Sequence, residues 1–253
     1  MRMKDRRTRL LDALAAGEMD VDELARRFEV SASTIRRDLQ RLDGEKAVRR
    51  TYGGAILANN PSELTLDERM AVNGPQKRAI ARAAAGLIGE GETVILDAGS
   101  TVAALGQLLR GRRLRIVTNN LSLLPFLGRD PGLELIVLGG KFRPTSMSTV
   151  GVLAVEAMRR ITADHVFTSA DGIVAEHGLC EASLDQIALK SLMMSQARQV
   201  VVLADASKLG RAAQPFWAPL PPRVTLVTDA AVRDGQRRAL EAAGADLRIA
   251  EAS

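Results

Sequence analysis

Two sets of residues in this 253-residue sequence have the types and spacing to do chemistry. The first lies where apolar runs end. Thr93–Leu96 passes into Asp97-Ala-Gly-Ser-Thr101 at the expected start of a helix. Small residues there let backbone N–H groups and the positive end of a helix dipole face an anion, so Gly99, Ser100 and Thr101 read as a phosphate cradle with Asp97 beside it. Other runs end in Thr118-Asn119-Asn120, in Gly139-Gly140-Lys141 with Arg143 close behind, in Ala170-Asp171-Gly172, and in Leu203-Ala-Asp205-Ala-Ser-Lys208. Any one of these reads first as an ordinary turn; their repetition on several strands exceeds what turns require. Lys190 adds a cation within Ile187-Ala-Leu-Lys-Ser-Leu-Met-Met194, a helix apolar around most of its circumference. Such a lysine either snorkels to solvent or finds an anion.

The second set is a polar stripe. In a helix capped by Ser31, the apolar Ile35, Leu39 and Leu42 share one face, which leaves Ser33, Arg36, Arg37, Gln40 and Arg41 on the outward half. Cations and hydrogen-bonding side chains near a helix start, Thr34 among them, suit a major groove of double-stranded DNA; the bland alternative is a solvated amphipathic helix. Two short β-prone runs around Gly53-Gly54 follow at once and read as a hairpin wing, placing Arg49, Arg50 and Tyr52 where a wing meets phosphates or a minor groove.

Catalytic and metal chemistry find little support. His165, His177 and the single cysteine, Cys180, form no triad or metal-ligand spacing, and no H-E-x-x-H occurs. Gly89-Glu-Gly-Glu-Thr-Val94 precedes its strand and lacks the last glycine of a dinucleotide loop. No metal and no cofactor is therefore expected. Asp97, Asp171 and Glu181 are carboxylates of the kind an isomerase uses as base, so a sugar-phosphate isomerase carrying a DNA-binding module is the alternative to a regulator. An architectural DNA binder without a ligand is a further alternative, disfavoured by the long second half.

The elements that must position these residues divide the chain. Leu10, Leu11 and Leu14 stripe a first helix ended by Gly17. Asp20 with Glu23 opens a second, which buries Val21, Leu24, Ala25 and Phe28. With the third helix and hairpin, residues 1–58 form a winged helix-turn-helix. Residues 59–75, marked by Asn59-Asn60-Pro61 and Asn73-Gly74-Pro75, read as linker. From 76 to 253 helices and strands alternate, which predicts an α/β domain with a mainly parallel sheet, whose ligands collect at the carboxyl ends of strands. Net charge is +5, and the part through Ala58 is the more basic, with thirteen Lys or Arg against ten Asp or Glu. No apolar run reaches the ~18 residues of a membrane span, and the charged N-terminus is no signal peptide, so a cytoplasmic protein without membrane partners is expected.

Ser31-Ala-Ser-Thr-Ile-Arg-Arg-Asp-Leu39 followed by Arg49-Arg-Thr-Tyr-Gly-Gly-Ala55 resembles the DNA-binding domain of the DeoR family, with Tyr52 where that family often has histidine. Leu96-Asp-Ala-Gly-Ser-Thr101, Val117-Thr-Asn-Asn120, Leu138-Gly-Gly140, Ala170-Asp-Gly-Ile173 and Leu203-Ala-Asp-Ala-Ser-Lys208 are similar to its sensor domain. The resemblance implies a fold related to ribose-5-phosphate isomerase, used to sense a phosphorylated sugar. It also implies homo-oligomerisation and repression of a carbohydrate-catabolic operon at double-stranded operator DNA. Carried over by matching motif, Asp97, Gly99, Ser100, Thr101, Asn119, Gly140, Lys190 and Lys208 are the expected effector-site residues, to which the polar strand ends add Thr118, Gly139, Arg143, Asp171 and Asp205.

Overall fold

The computed structural model describes residues 3–15, 19–45, 47–50, 54–57 and 64–251. The chain forms two compact units, Met1–Glu63 with Arg211–Pro215, and Leu64–Gly210 with Phe216–Ser253.

In the first unit α1 (Met3–Ala15), α2 (Val21–Phe28) and α3 (Ala32–Gly44) surround one core. Asp20 caps α2 by accepting the Glu23 amide at 2.7 Å, and Glu29 ends that helix in the left-handed region (φ 54°). Ser31 then caps α3 by accepting the Thr34 amide at 3.2 Å. Leu10, Leu14, Leu24, Ile35, Leu39 and Leu42 are buried between the three helices. Each such side chain contributes ~1.5–3 kcal/mol when removed from water. Asp38 pairs with Arg6 of α1 at 2.5 Å, which holds the back of α3 against α1. β1 (Met19–Asp20), β2 (Val48–Arg50) and β3 (Gly54–Leu57) form an antiparallel sheet in the order β1-β3-β2. The hairpin pairs Val48 with Leu57 and Arg50 with Ala55. The β1 strand is an addition to the expected wing; Gly17 lies outside the described residues.

The segment expected as linker, residues 59–75, is described from residue 64 on. Its described part holds α4 (Leu66–Ala71), opened by a Thr65/Glu68 capping box, and the start of α5 (Gly74–Ala85). A six-residue helix is too short to show an apolar period, which hid it among charged residues.

The second unit is built on seven strands, β4 (Thr93–Leu96), β5 (Leu114–Thr118), β6 (Leu133–Val137), β9 (Ala163–Thr168), β12 (Ala197–Leu203), β14 (Thr225–Asp229) and β15 (Asp246–Ala250). All neighbours are parallel, in the order β15-β14-β12-β9-β4-β5-β6. Successive strand residues feed opposite faces. Val94 and Leu96 pack with α5 and α6 (Ser100–Gln107). Ile95 packs with α8 (Val152–Met158) and α9 (Leu184–Ser195), whose layer also takes Leu240 of α10 (Asp234–Ala242). Short elements flank the sheet: α7 (Leu124–Leu127), the hairpin of β7 (Lys141–Arg143) and β8 (Ser148–Val150), and an antiparallel trio of β10 (Gly172–Val174), β11 (Gly178–Glu181) and β13 (Phe216–Ala218). From β4 the chain winds outward to β5 and β6, then returns to β9 and winds the other way. The reversal of strand order, where such sheets open a crevice, therefore lies between β4 and β9.

Candidate sensor site and nucleic-acid interface

Asp97 and Thr168 end the two strands at that reversal, and Lys190 of α9 reaches both. The residue is 2% exposed, and its ammonium donates to Asp97 Oδ2, to Thr168 Oγ1 at 2.8 Å and to the Ser169 carbonyl at 2.6 Å, with Glu181 Oε1 at 3.1 Å. Thr168 Oγ1 donates to Asp97 Oδ2 at 2.6 Å, and the Ala98 amide donates to Asp97 Oδ1 at 2.7 Å. Gln186 donates to the other Glu181 oxygen at 3.0 Å. The lysine's three protons are thus engaged inside the protein, with the carboxyl groups of Asp97 and Glu181 among their partners, and both oxygens of Asp97 are occupied as well. Burial drives the Glu181 carboxyl up to about 8, against the pull of Lys190, while Asp171 and Asp97 push it the same way as burial. Lys190 is held above its ordinary value: burial opposes that rise and is outweighed by the two carboxylates. A lysinium balanced by the Asp97 carboxylate, with Glu181 neutral, leaves the buried ring without net charge.

Around the ring, Gly99 (φ 144°) starts α6 without a side-chain cap. A Cβ there would stand 2.1 Å from Ser169 Oγ, so only glycine lets these two strand ends close together. Ser100 and Thr101 follow in the first turn. Thr118 staples β5 to β4, donating to the Leu96 carbonyl at 2.6 Å, and Asn120 reaches the Asp97 carbonyl at 3.4 Å. Asn119 donates to the Thr149 carbonyl at 3.1 Å, while its buried Oδ1 has no hydrogen-bond partner; Asp171 Oδ2 is likewise buried without one. Gly140 (φ 139°) lies against the β8 backbone, where a Cβ would meet the Val150 carbonyl at 2.5 Å. Gly139 has open space on that side, and Arg143 donates to Ser146 Oγ at 3.0 Å. Asp205 caps the turn after β12, accepting the Ser207 amide at 3.2 Å and Asn73 Nδ2 at 3.0 Å; Lys208 is half-buried beyond it.

Asp97 and Lys190 are therefore bonded to each other, with Thr118 and Asn119 on the adjoining strand end. Asp171 and Asp205 join through residues that sequence reasoning passed over. Arg69 of α4 donates to Asp171 Oδ1 at 3.5 Å, and Lys77 of α5 is buried with its ammonium on the carbonyls of Arg69 and Val72, the latter at 2.8 Å. Burial lowers the Lys77 pKa, with Asp205 opposing and Lys208 adding to the fall. Lys77 had the same signal as Lys190, a lysine among Ala79, Ile80 and Ala84; Arg69 had none.

In the first unit Ser33, Arg36, Arg37, Gln40 and Arg41 are exposed on α3, opposite the buried Ile35, Leu39 and Leu42. Ser31 and Thr34 share a hydroxyl contact of 2.9 Å within the cap. No acidic side chain occupies the first turn of α3, which leaves its dipole available to a phosphate. Arg49 and Arg50 lie on β2, with their side chains outside what is described, and Tyr52 lies outside the described residues. Among the described residues no cluster suits a metal ion and no helix is long and apolar enough to cross a membrane.

The chain matches the DeoR-like helix-turn-helix domain over residues 6–60 and the DeoR C terminal sensor domain over residues 72–230. It is 32% identical over 236 residues to the HTH-type transcriptional regulator GolR of Listeria innocua, covering 92% of this chain and 93% of that one. It is also 32% identical over 253 residues to the HTH-type transcriptional repressor GlcR of Bacillus subtilis, covering 99% and 98%. Among solved structures, ribose 5-phosphate isomerase A of Methanocaldococcus jannaschii aligns over 54% of each chain at 18% identity, with a TM-score of 0.40. With both its domains matched in order, the chain belongs to the DeoR family of transcriptional regulators.

Proposed function

We propose that this regulator is a cytoplasmic, homo-oligomeric repressor of a carbohydrate-catabolic operon, and that a phosphorylated sugar binding at the strand ends releases it from operator DNA. The observation that carries this reading is the pairing of an uncapped helix start at Gly99, Ser100 and Thr101 with two buried acceptors that lack donors, Asn119 Oδ1 and Asp171 Oδ2. N–H groups at a helix start favour a dianion, and hydroxyl groups are the donors that the two acceptors require. Lys208, in the turn after β12, and Arg143, at the end of β7, serve as cations for the phosphate; Asp97 and Lys190 build the floor. Of the carboxylates an isomerase could use as base, Asp97 is tied to Lys190 and Thr168 and Glu181 to Lys190 and Gln186, while Asp171 pairs with Arg69 through one oxygen.

Release requires tighter effector binding by the conformation that does not hold DNA; a shift from 1:99 to 99:1 takes ~10⁴-fold preference, ~5.5 kcal/mol. Sugar phosphates should raise the melting temperature, by ~2.7 kcal/mol of stabilisation at ~100 times the dissociation constant, while the unphosphorylated sugars should not. Ser100→Glu puts a carboxylate in the phosphate position and should give a protein that binds operator but ignores effector. Normal release by that variant would move the phosphate away from this loop.

A further inference from the structure

β6 is the last strand on one side of the sheet, as β15 is on the other. The bonds at its two ends fix which of its backbone groups face inward. The Leu114 amide donates to the Gly132 carbonyl at 3.3 Å, and the Leu138 amide to the Thr118 carbonyl at 2.8 Å. In a parallel ladder alternate residues serve one neighbour, so Glu134 and Ile136 face β5 as well, while Leu133, Leu135 and Val137 direct their backbone groups outward. The Leu133 amide is taken by the Asp130 carbonyl at 3.2 Å. The amides of Leu135 and Val137 are left aimed at a side where no further strand pairs among the described residues. This edge is also apolar. Leu133-Glu-Leu-Ile-Val137 carries one charge, Val137 is 40% exposed, and Phe126 of α7, the helix packed on the Leu133 and Leu135 face, is 44% exposed. β15 is guarded instead: Asp246 and Arg248 stand exposed along it and pair at 3.0 Å, and charges of this kind keep an edge from pairing.

We propose that β6 is a dimerisation edge, where a second copy of this chain adds its own β6 antiparallel about a two-fold axis at Leu135 and the two sheets become one. The proposal rests on the homo-oligomeric reading above and assigns its interface. Outward amides on a strand call for another strand, and this strand is complementary to itself. About that axis each Leu135 amide donates to the Leu135 carbonyl of the other copy, and each Val137 amide to the other copy's Leu133 carbonyl. All four outward donors are then satisfied, and the Leu133 amides, already bonded to Asp130, need nothing more. Glu134 faces Ile136 of the second copy, whereas an axis one residue earlier would set two Glu134 carboxylates directly opposite, which like charges disfavour. A two-stranded pair of five residues is marginal in water by itself, so the exposed Val137 and Phe126 of both copies supply the apolar area that closes over it. The contact uses the same edge on both copies and therefore closes on itself, while the charges on β15 stop the sheet from growing at its far side.

The test uses the full chain and its Val137→Pro and Val137→Lys variants. Ile249→Pro on β15 is the matched control, since Ile249 also directs its amide outward, next to Arg248 on the guarded edge. Proline at either position removes an amide that the neighbouring strand does not use, so the melting temperatures should match the wild type. In sedimentation over a protein concentration series, Ile249→Pro should associate as the wild type does. The transition to the half-mass species should move to ~30-fold higher concentration in Val137→Pro, because the pair loses two symmetric hydrogen bonds. Val137→Lys keeps the amide but sets a charge on each edge, and should weaken association as well; it decides the matter if Val137→Pro does not fold. In the associated wild type the Leu135 amide should exchange hydrogen ~10-fold more slowly than after dilution to the half-mass species. Val137 variants that associate as the wild type does, or a Leu135 amide indifferent to dilution, overturn the interface and leave the homo-oligomeric reading standing. Equal loss of association in Ile249→Pro also overturns it. A wild type that sediments as a monomer at every concentration overturns both.

Discussion

A lysine placed at an apolar helix position is a demand for negative charge, and Lys190 meets it with Asp97 and Glu181. Two carboxylates around one ammonium leave one negative charge too many for a buried site, and protonation of Glu181 removes it. That carboxyl is held up at about 8, against an ordinary 4.5. Below pH 4.5 both folded and unfolded chains carry the proton. Between 4.5 and 8 the unfolded chain releases it and the folded one keeps it, so stability falls as pH rises, by at most ~1.4 kcal/mol per unit. Glu181→Gln is neutral at every pH and still accepts from Lys190, so its stability should be flatter over this window. Denaturant unfolding of both proteins at pH 5, 6.5 and 8 reads the difference; identical slopes would show that Glu181 is ionised throughout.

The third helix of the DNA-binding unit illustrates how an element separates folding from function along its two faces. Ile35, Leu39 and Leu42 are spent on the core and Asp38 on Arg6, while Arg36 and Arg37 stand exposed. Arg37→Ala should therefore leave the melting temperature unchanged and lower operator affinity by ~1–3 kcal/mol, concentrated at one base pair if it reads a guanine edge and uniform across sequences if it meets a phosphate. Unaltered binding would remove Arg37 from the interface. This face was legible because period 3.6 and a serine cap act within thirteen residues. Six of the seven sheet strands were legible as apolar runs for the same local reason; the edge strand β15, Asp246-Leu-Arg-Ile-Ala250, interleaves charged and apolar residues and was not. The β7–β8 hairpin, the β10-β11-β13 trio and α4 were not, since elements of three to six residues carry no period and are fixed by what they pack on. Within the site, strand-end polarity pointed to Asp97, Asn119 and Asp171. That Lys190 joins Asp97 to Glu181, and Arg69 joins Asp171 to α4, depends on contacts 93, 9 and 102 positions apart along the chain, which no spacing rule encodes.

At the scale of the whole molecule the question is why a regulator with a self-contained DNA-binding unit needs more than one copy. That unit has its own core, so a fragment ending at Ala58 has the means to fold. What it lacks is charge. Thirteen cations against ten anions is a small surplus, and two of the cations are committed, Arg6 to Asp38 and Arg7 to Glu45. Each phosphate neutralised on duplex DNA releases counterions and adds ~0.9 to the slope of log affinity against log salt. One unit presenting the exposed Arg36, Arg37 and Arg41 with the wing cations makes only a few such contacts, whereas two units on paired half-sites make ~6–10. The full chain should accordingly lose ~10³ to 10⁵ in operator affinity between ~50 and ~200 mM salt, with a slope about twice that of the fragment. Binding isotherms of both proteins across that range, on an operator with one half-site and with two, decide the matter. A fragment that equals the full chain in affinity and slope on the two-site operator would show that assembly through the sensor contributes nothing to recognition.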